Sequence, residues 1–407
     1  MQLKRQALKA VMLSLPALSV LAMFALRAYA DVQAASRVTV FREPSADNAG
    51  VSVIHPQTDV SADLGGASLA AGYDLDIVSG ASPRVFGGVD AVTAATKFSD
   101  VRQTARATVG WNVSDVGLSA GYSYGWESDY LSHTMQVAAR GDFLDKNFTL
   151  GLSYTRNFDS VCDANNKLAQ DRLSRQALTS SKQCFNRGQT ETMTRSVDIN
   201  TFEPSLTWTA TPLLLLQAGA TLQVLDGFQS NPYRRVLVGS QGRTPQESVP
   251  ETRQRYAVFA RANYAIPGIR SALAVTARAY RDSWDVLAAT GDAWFHSYIT
   301  QGLLLGLHGR YHRQTGAVFY RSAPAYETRG PAGQYWTGDR ELAPLGTVMG
   351  GLKLSYIRSR RQKPDAWLEE LELSAKMEGM FYNLSQDAPN SDRNMALVGQ
   401  LGASARF

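Results

Sequence analysis

The chain has 407 residues, 44% of them hydrophobic and 19% charged, values that taken alone suit one or two soluble domains. Its net charge of +5 gives no argument for nucleic-acid binding, because Lys4, Arg5, Lys9 and Arg27 all lie within the first thirty residues, which hold no acid. Beyond an N-terminal apolar run, no stretch is long enough to cross a membrane as a helix, so any span must be made of strands.

That first run, Val11 to Leu26, follows Lys4, Arg5 and Lys9 and precedes the small-x-small triplet Ala28-Tyr29-Ala30. The pattern predicts a cleaved signal peptide over residues 1 to 30, with a mature chain from Asp31 and a net charge of +1. Period-two alternation then predicts sixteen strands. Arg37 to Arg42 and Val51 to Leu64 form the first pair, with a phase slip at Pro56 that predicts a bulge. Leu69 to Ile77 and Val101 to Val113 follow, the apolar positions alternating with Asp74 and Asp76 in one and with Arg102 and Arg106 in the other.

Val116 to Trp126 alternates large apolar residues with Gly117, Ser119, Gly121, Ser123 and Gly125. Met135 to Phe143 and Phe148 to Phe158 flank a turn at Asp145-Lys146, and the polar stretch from Asp159 to Glu191 is too long for a hairpin turn. Thr192 to Thr209 changes phase between Ile199 and Phe202, and Leu214 to Val224 returns the chain. The remaining strands are Thr252 to Ala265, Arg270 to Trp284, Thr290 to Thr300, Gly302 to Tyr320, Leu342 to Arg358, Ala366 to Tyr382 and Asn394 to Phe407.

Short connections at Gly65, Asp115, Asp145, Thr211, Pro267, Gln301 and Lys363 alternate with mostly long ones near 80 to 97, 159 to 191, 229 to 251, 322 to 341 and 384 to 393. This is the rhythm of an all-β transmembrane antiparallel up-and-down β-barrel, with periplasmic turns and extracellular loops. The last strand supports closure: Met395, Leu397, Gly399, Leu401, Ala403, Ala405 and Phe407 share a face that suits lipid, while Gln400, Ser404 and Arg406 suit water. It resembles the terminal recognition strand of bacterial outer-membrane proteins, which implies the barrel-assembly machinery as a partner through Phe407 and outer-membrane lipid around the wall. Aromatic placement separates a barrel from a soluble sandwich: Trp111, Trp208, Tyr264, Tyr356, Trp367 and Phe407 are expected at one girdle, and Tyr122, Tyr124, Trp126, Phe158, Phe319 and Phe381 at the other.

The segment Asp76-Ile77-Val78-Ser79-Gly80-Ala81-Ser82-Pro83 resembles the Asp-x-x-Ser-Gly-Ala-Ser-Pro signature of an uncharacterised bacterial outer-membrane barrel family, a domain of unknown function. Val53-Ile54-His55-Pro56 and Val60 to Leu64 fit that family's N-terminal hairpin. The resemblance implies a porin-like outer-membrane barrel and no established activity. Physically, Ser79, Gly80, Ala81, Ser82 and Pro83 read first as a tight ordered loop.

Charges are predicted on the lumen face. Arg253, Arg255, Arg261, Arg278, His308, Arg310 and His312 form a basic arc, facing an acidic one of Asp74, Asp76, Glu370, Glu372 and Glu378, with Arg102, Arg106 and Arg140 breaking the division. Such arcs would set a transverse field across a wet lumen, unless the groups merely pair between strands. His308 and His312 stand roughly 13 Å apart along a strand, too far to share an ion, and His296 reaches His308 only diagonally. No metal or cofactor motif is found, and none is expected. A hydrolase built on Ser132, His133 and Asp129 is weighed and disfavoured, since adjacent strand residues point to opposite faces and Gly-x-Ser-x-Gly is absent. Cys162 and Cys184, both in the long polar loop, are expected to form a disulfide. The best reading is a porin-like channel for small polar or charged solutes. The alternatives are a structural or partner-binding barrel with an occluded lumen and, third, an outer-membrane hydrolase.

Overall fold

The computed structural model describes residues 31–44, 51–79, 100–163, 171–178, 185, 193–321, 325–327, 334–359, 368–384 and 394–407. Its strands are β1 (Asp31–Glu43), β2 (Val51–Asp63), β3 (Ala67–Ser79), β4 (Asp100–Val113), β5 (Val116–Trp126), β6 (Tyr130–Phe143), β7 (Phe148–Asp163) and β8 (Met193–Thr211). They continue as β9 (Leu214–Gly227), β10 (Thr252–Ile266), β11 (Ser271–Asp282), β12 (Leu287–Tyr298), β13 (Leu303–Gln314), β14 (Leu345–Ser359), β15 (Glu370–Leu384) and β16 (Met395–Arg406). Each strand pairs with its sequence neighbours, and β16 pairs with β1, so the sixteen close into one antiparallel barrel. Closure runs from Gln33 opposite Arg406 to Arg42 opposite Leu397, and the Phe407 amide donates to the Val32 carbonyl at 2.9 Å. The first and last strands thereby cover each other's edge.

Directly opposed residues share a face, so one assignment propagates around the wall. Leu118 opposes Trp111 and Ala139, and Leu152, Leu206, Val258 and Leu307 follow on the same exposed outer side. Short turns gather at one end. There Trp111, Trp208, Tyr264 and Tyr356 are exposed on the outer face, with Trp208 stacked on Phe148 at 5.6 Å. Tyr122, Phe158 and Phe381 are exposed toward the opposite end, while Trp367 lies outside the described residues.

Several boundary expectations need correction. Pro56 makes no bulge: β1 and β2 keep one register throughout, and pairing to β3 lapses only between Ile54↔Ile77 and Gln57↔Asp74, because proline has no N–H to donate. The one irregular register of β8 with β9 is at Thr209/Thr211, beside the turn. No slip accompanies the phase change at Ile199 either. Val197, Ile199 and Leu225 turn inward and are buried with Tyr130, Val161 and Phe228, so apolar residues change sides while the ladder stays regular. The predicted strand to Tyr320 ends at Gln314, and Phe319 is not a girdle residue. It is buried with Trp284, Val249 and Leu342, where the chain folds over the barrel mouth.

Candidate functional site: the lumen and its loop cap

Strand parity places Asp74, Asp76, Arg102, Arg106, Arg140, Arg253, Arg255, Arg261, Arg278, His308, Arg310, His312, Glu370, Glu372 and Glu378 on the inner face, opposite the exposed apolar one. Much of that charge is consumed locally. Arg106 lies between Asp74 and Asp59, and His55 Nδ1 meets Asp76 at 2.7 Å. Across the barrel, His308 meets Asp292 at 2.8 Å through Nε2 and Glu378 at 2.7 Å through Nδ1, its ring stacked 4.1 Å from that of Trp294. Lys376 reaches Glu378 at 2.9 Å and Lys353 reaches Glu372 at 3.3 Å. Arg253 pairs with Asp282, whose other oxygen accepts from the Trp284 and Val286 amides, making this carboxylate the organiser of a turn. Glu370 faces Arg406, which is held by Asp31 and lies 3.7 Å from Glu369.

The remaining lumen residues differ in what they meet. Arg255 donates to Gln223 at 3.0 Å, His312 lies 2.8 Å from the Thr290 hydroxyl, and the Arg102 guanidinium sits 5.4 Å from the centre of the Tyr130 ring. Arg140, Arg261, Arg278 and Arg310 are exposed to the lumen and make no ion pair among the described residues. Arg261 and Arg278 border a recess of about 330 Å³ that Thr207, Gln217, Phe259 and Thr276 also line.

One group escaped sequence reasoning. His55, Asp74 and Asp76 bring ligand-type atoms within 4.8 Å of one another, because β2 and β3 lie side by side. His55 and Asp76 are 21 residues apart, so no short spacing signals the pair. Arg106 and the His55–Asp76 hydrogen bond already engage these donors, which makes the group an ion-pair cluster.

At the long-loop end, segments from three connections fold together over the mouth. The Leu178 amide donates to the Pro232 carbonyl at 2.8 Å, and the Gln246 amide to Arg175 at 2.9 Å. Trp336 exchanges backbone hydrogen bonds with Ser248 and donates its indole N–H to the Gln246 carbonyl at 2.7 Å. Arg234 bridges Glu247 at 2.9 Å and Asp339 at 3.1 Å. Burial acts to lower the Arg234 guanidinium, yet Asp339 and Glu247 hold it above its ordinary value. Two buried contacts fasten this cap to the rim: Tyr233 donates to Asp129, and Arg340 lies against both carboxylate oxygens of Glu43. Gly227 opens the middle segment with φ +121°, and a Cβ there would lie 2.1 Å from the Ser196 carbonyl oxygen.

The residues weighed for hydrolysis are not brought together. His133 faces outward and bonds the Tyr122 hydroxyl at 2.7 Å, Ser132 is buried on the inner side, and Asp129 accepts from Tyr233. Cys162 is buried at the end of β7, and no cysteine among the described residues is free; Cys184 lies outside them. So do Gly80, Ala81, Ser82 and Pro83, whereas Ser79 ends β3.

A family model described as "Protein of unknown function (DUF3570)" matches residues 91–378, and the chain belongs to that family. The match begins after the Asp76 to Pro83 motif. No curated protein matches the chain. Among solved structures, it is similar to a bacterial polysaccharide outer membrane secretin at 10% identity and a TM-score of 0.47, covering 94% of this chain and 99% of the other. It is similar to OccD3 (OpdP) of Pseudomonas aeruginosa at 9% identity and TM-score 0.44, covering 93% and 91%. With the ferric enterobactin receptor of Pseudomonas aeruginosa the values are 12% and 0.41, covering 86% of this chain and 54% of the receptor, so the chain spans about half its length.

Proposed function

We propose that this member of the DUF3570 family is a porin-like channel of the bacterial outer membrane, passing small polar or charged solutes. The observation that carries the reading is a closed sixteen-strand wall with apolar residues outside and, on the inner face, exposed arginines that make no ion pair among the described residues. Charged residues facing lipid near the bilayer midplane would each cost about 2 to 4 kcal/mol, so the wall is built for a membrane outside and water within. In this reading residues 1 to 30 direct export and are removed, lipid surrounds the girdles, and the strand ending at Phe407 engages the assembly machinery. Among the described residues His133 bonds Tyr122 on the outer side and Asp129 accepts from Tyr233, an arrangement that favours transport over the hydrolase reading. The Asp-x-x-Ser-Gly-Ala-Ser-Pro motif is taken as a loop at the mouth.

The cap favours a second reading, a structural or partner-binding barrel with an occluded lumen, because Trp336, Thr337 and Arg340 are buried there in a network that closes over the mouth. Planar-bilayer conductance of the purified protein decides between the two. Stepwise ion currents are expected. Their absence from protein that shows heat-modifiable gel mobility would reject the channel and leave the occluded barrel.

A further inference from the structure

Arg278 directly opposes Phe259, and Arg261 opposes Thr276, one step further along the same strand pair. The two arginines are therefore diagonal neighbours with backbones about 7 to 8 Å apart, close enough for both guanidinium groups to reach one anion between them. Arg261 spends its Nε on the Asn263 side-chain oxygen at 3.0 Å, which leaves the terminal nitrogens to the recess. Asp292, diagonal to Arg278 on β12, bonds His308, and Glu203 on β8 accepts from the Ser153 and Thr221 hydroxyls. Thr207, Thr276 and Gln217 add neutral hydrogen-bonding groups to the same recess.

The apolar element is Phe259. It opposes Gly219, and a Cβ at that glycine would lie 2.5 Å from the phenyl ring, so the ring rests on the strand where a side chain would otherwise stand. Gly219 in turn faces Ser205, and Ser205 faces Gly151, a row of small residues that keeps the wall low beside the ring. Two arginines next to a flat ring on a lowered wall suit an anion with a flat apolar body better than a hydrated inorganic ion.

We propose that this recess binds small organic carboxylates, the carboxylate between Arg261 and Arg278 and the apolar body on Phe259. The inference deepens the channel reading and rests on it only in that solute must reach the wall. Calorimetry on the folded protein in detergent tests it with benzoate, acetate, inorganic phosphate and benzylammonium. Benzoate is expected to bind more tightly than acetate or phosphate, and benzylammonium not at all. Arg261→Ala with Arg278→Ala should weaken benzoate about tenfold or more, as expected for loss of two charge-assisted contacts. Phe259→Ala should bring benzoate down to the affinity of acetate, while Arg358→Ala, on the outer face of β14, should leave it within about twofold. The pair Arg261→Lys and Arg278→Lys keeps the charge if the alanine pair does not fold, and should still weaken benzoate because lysine lacks the planar fork. Unchanged benzoate affinity in a folded double variant, or equal binding of benzylammonium, would overturn the site. Binding without conductance would overturn the channel reading alone, and conductance without benzoate binding the site alone.

Discussion

Glu43 is wholly buried at the tip of β1, and the cation against it, Arg340, comes from the connection between β13 and β14, 297 residues later. Removing one member of a buried pair leaves the other charge desolvated, at a cost of about 3 to 5 kcal/mol, whereas replacing both by apolar residues is often close to neutral. Arg340→Ala should therefore loosen the cap and expose residues 315 to 344 to limited proteolysis, and Arg340→Met combined with Glu43→Leu should restore much of the protection. Equal cleavage of the wild type and Arg340→Ala would show that this pair does not fasten the cap. Alternation assigns Asp74, Arg106 and Arg261 to the strand face that does not suit lipid, whereas Arg156 and Asp198 meet on the outer side. The partners were not legible in the sequence. Arg106 and Asp59 are 47 residues apart, and His308 and Glu378 are 70 apart, so only the barrel's register brings them together.

Strand count, order and turn positions follow from alternation that a single sequence carries, which is why β3 to β5 lie where the pattern puts them. By contrast, β6 begins at Tyr130 and β7 runs on to Asp163, because the polar residues at the mouth still pair. Reading failed where an inner face turns apolar. Val197 and Ile199 look like a register slip because they break the lipid pattern, yet they pack with Phe228 beneath the cap. The same confusion extended β13 through Phe319, whose apolar character serves the cap core beside Trp284. Two predictions belong to these connections. Cys162 and Cys184 should be bridged, closing some twenty residues and removing about 3 kcal/mol of chain freedom in the entropy model; mass spectrometry of unreduced protein would show no alkylatable thiol, and two alkylated thiols would refute the bridge. Single cysteines placed at Ser240 and Asp365 should label differently on intact cells, position 240 being reached from outside and position 365 protected. Labelling of 365 alone would invert the barrel.

For the molecule as a whole, the question is what field a solute meets in the lumen. Asp59 and Asp74 share Arg106, Glu372 meets Lys353, and Glu378 meets Lys376 and the His308 ring, so the acidic arc read from the sequence is largely engaged on neighbouring strands. Arg140, Arg261, Arg278 and Arg310 have no such partner among the described residues and stay exposed. The field is consequently cationic, and an open pore should prefer anions. Reversal potentials across a salt gradient measure this. Arg261→Ala with Arg278→Ala should shift selectivity toward cations, and Glu372→Gln should shift it the other way by freeing the Lys353 charge. Both shifts should shrink between 0.1 M and 1 M salt, as the Debye length falls from about 10 Å to about 3 Å. A cation-selective wild-type pore, or shifts that ignore salt, would mean that the exposed arginines do not set the field and that the cap, standing over the mouth, controls passage instead.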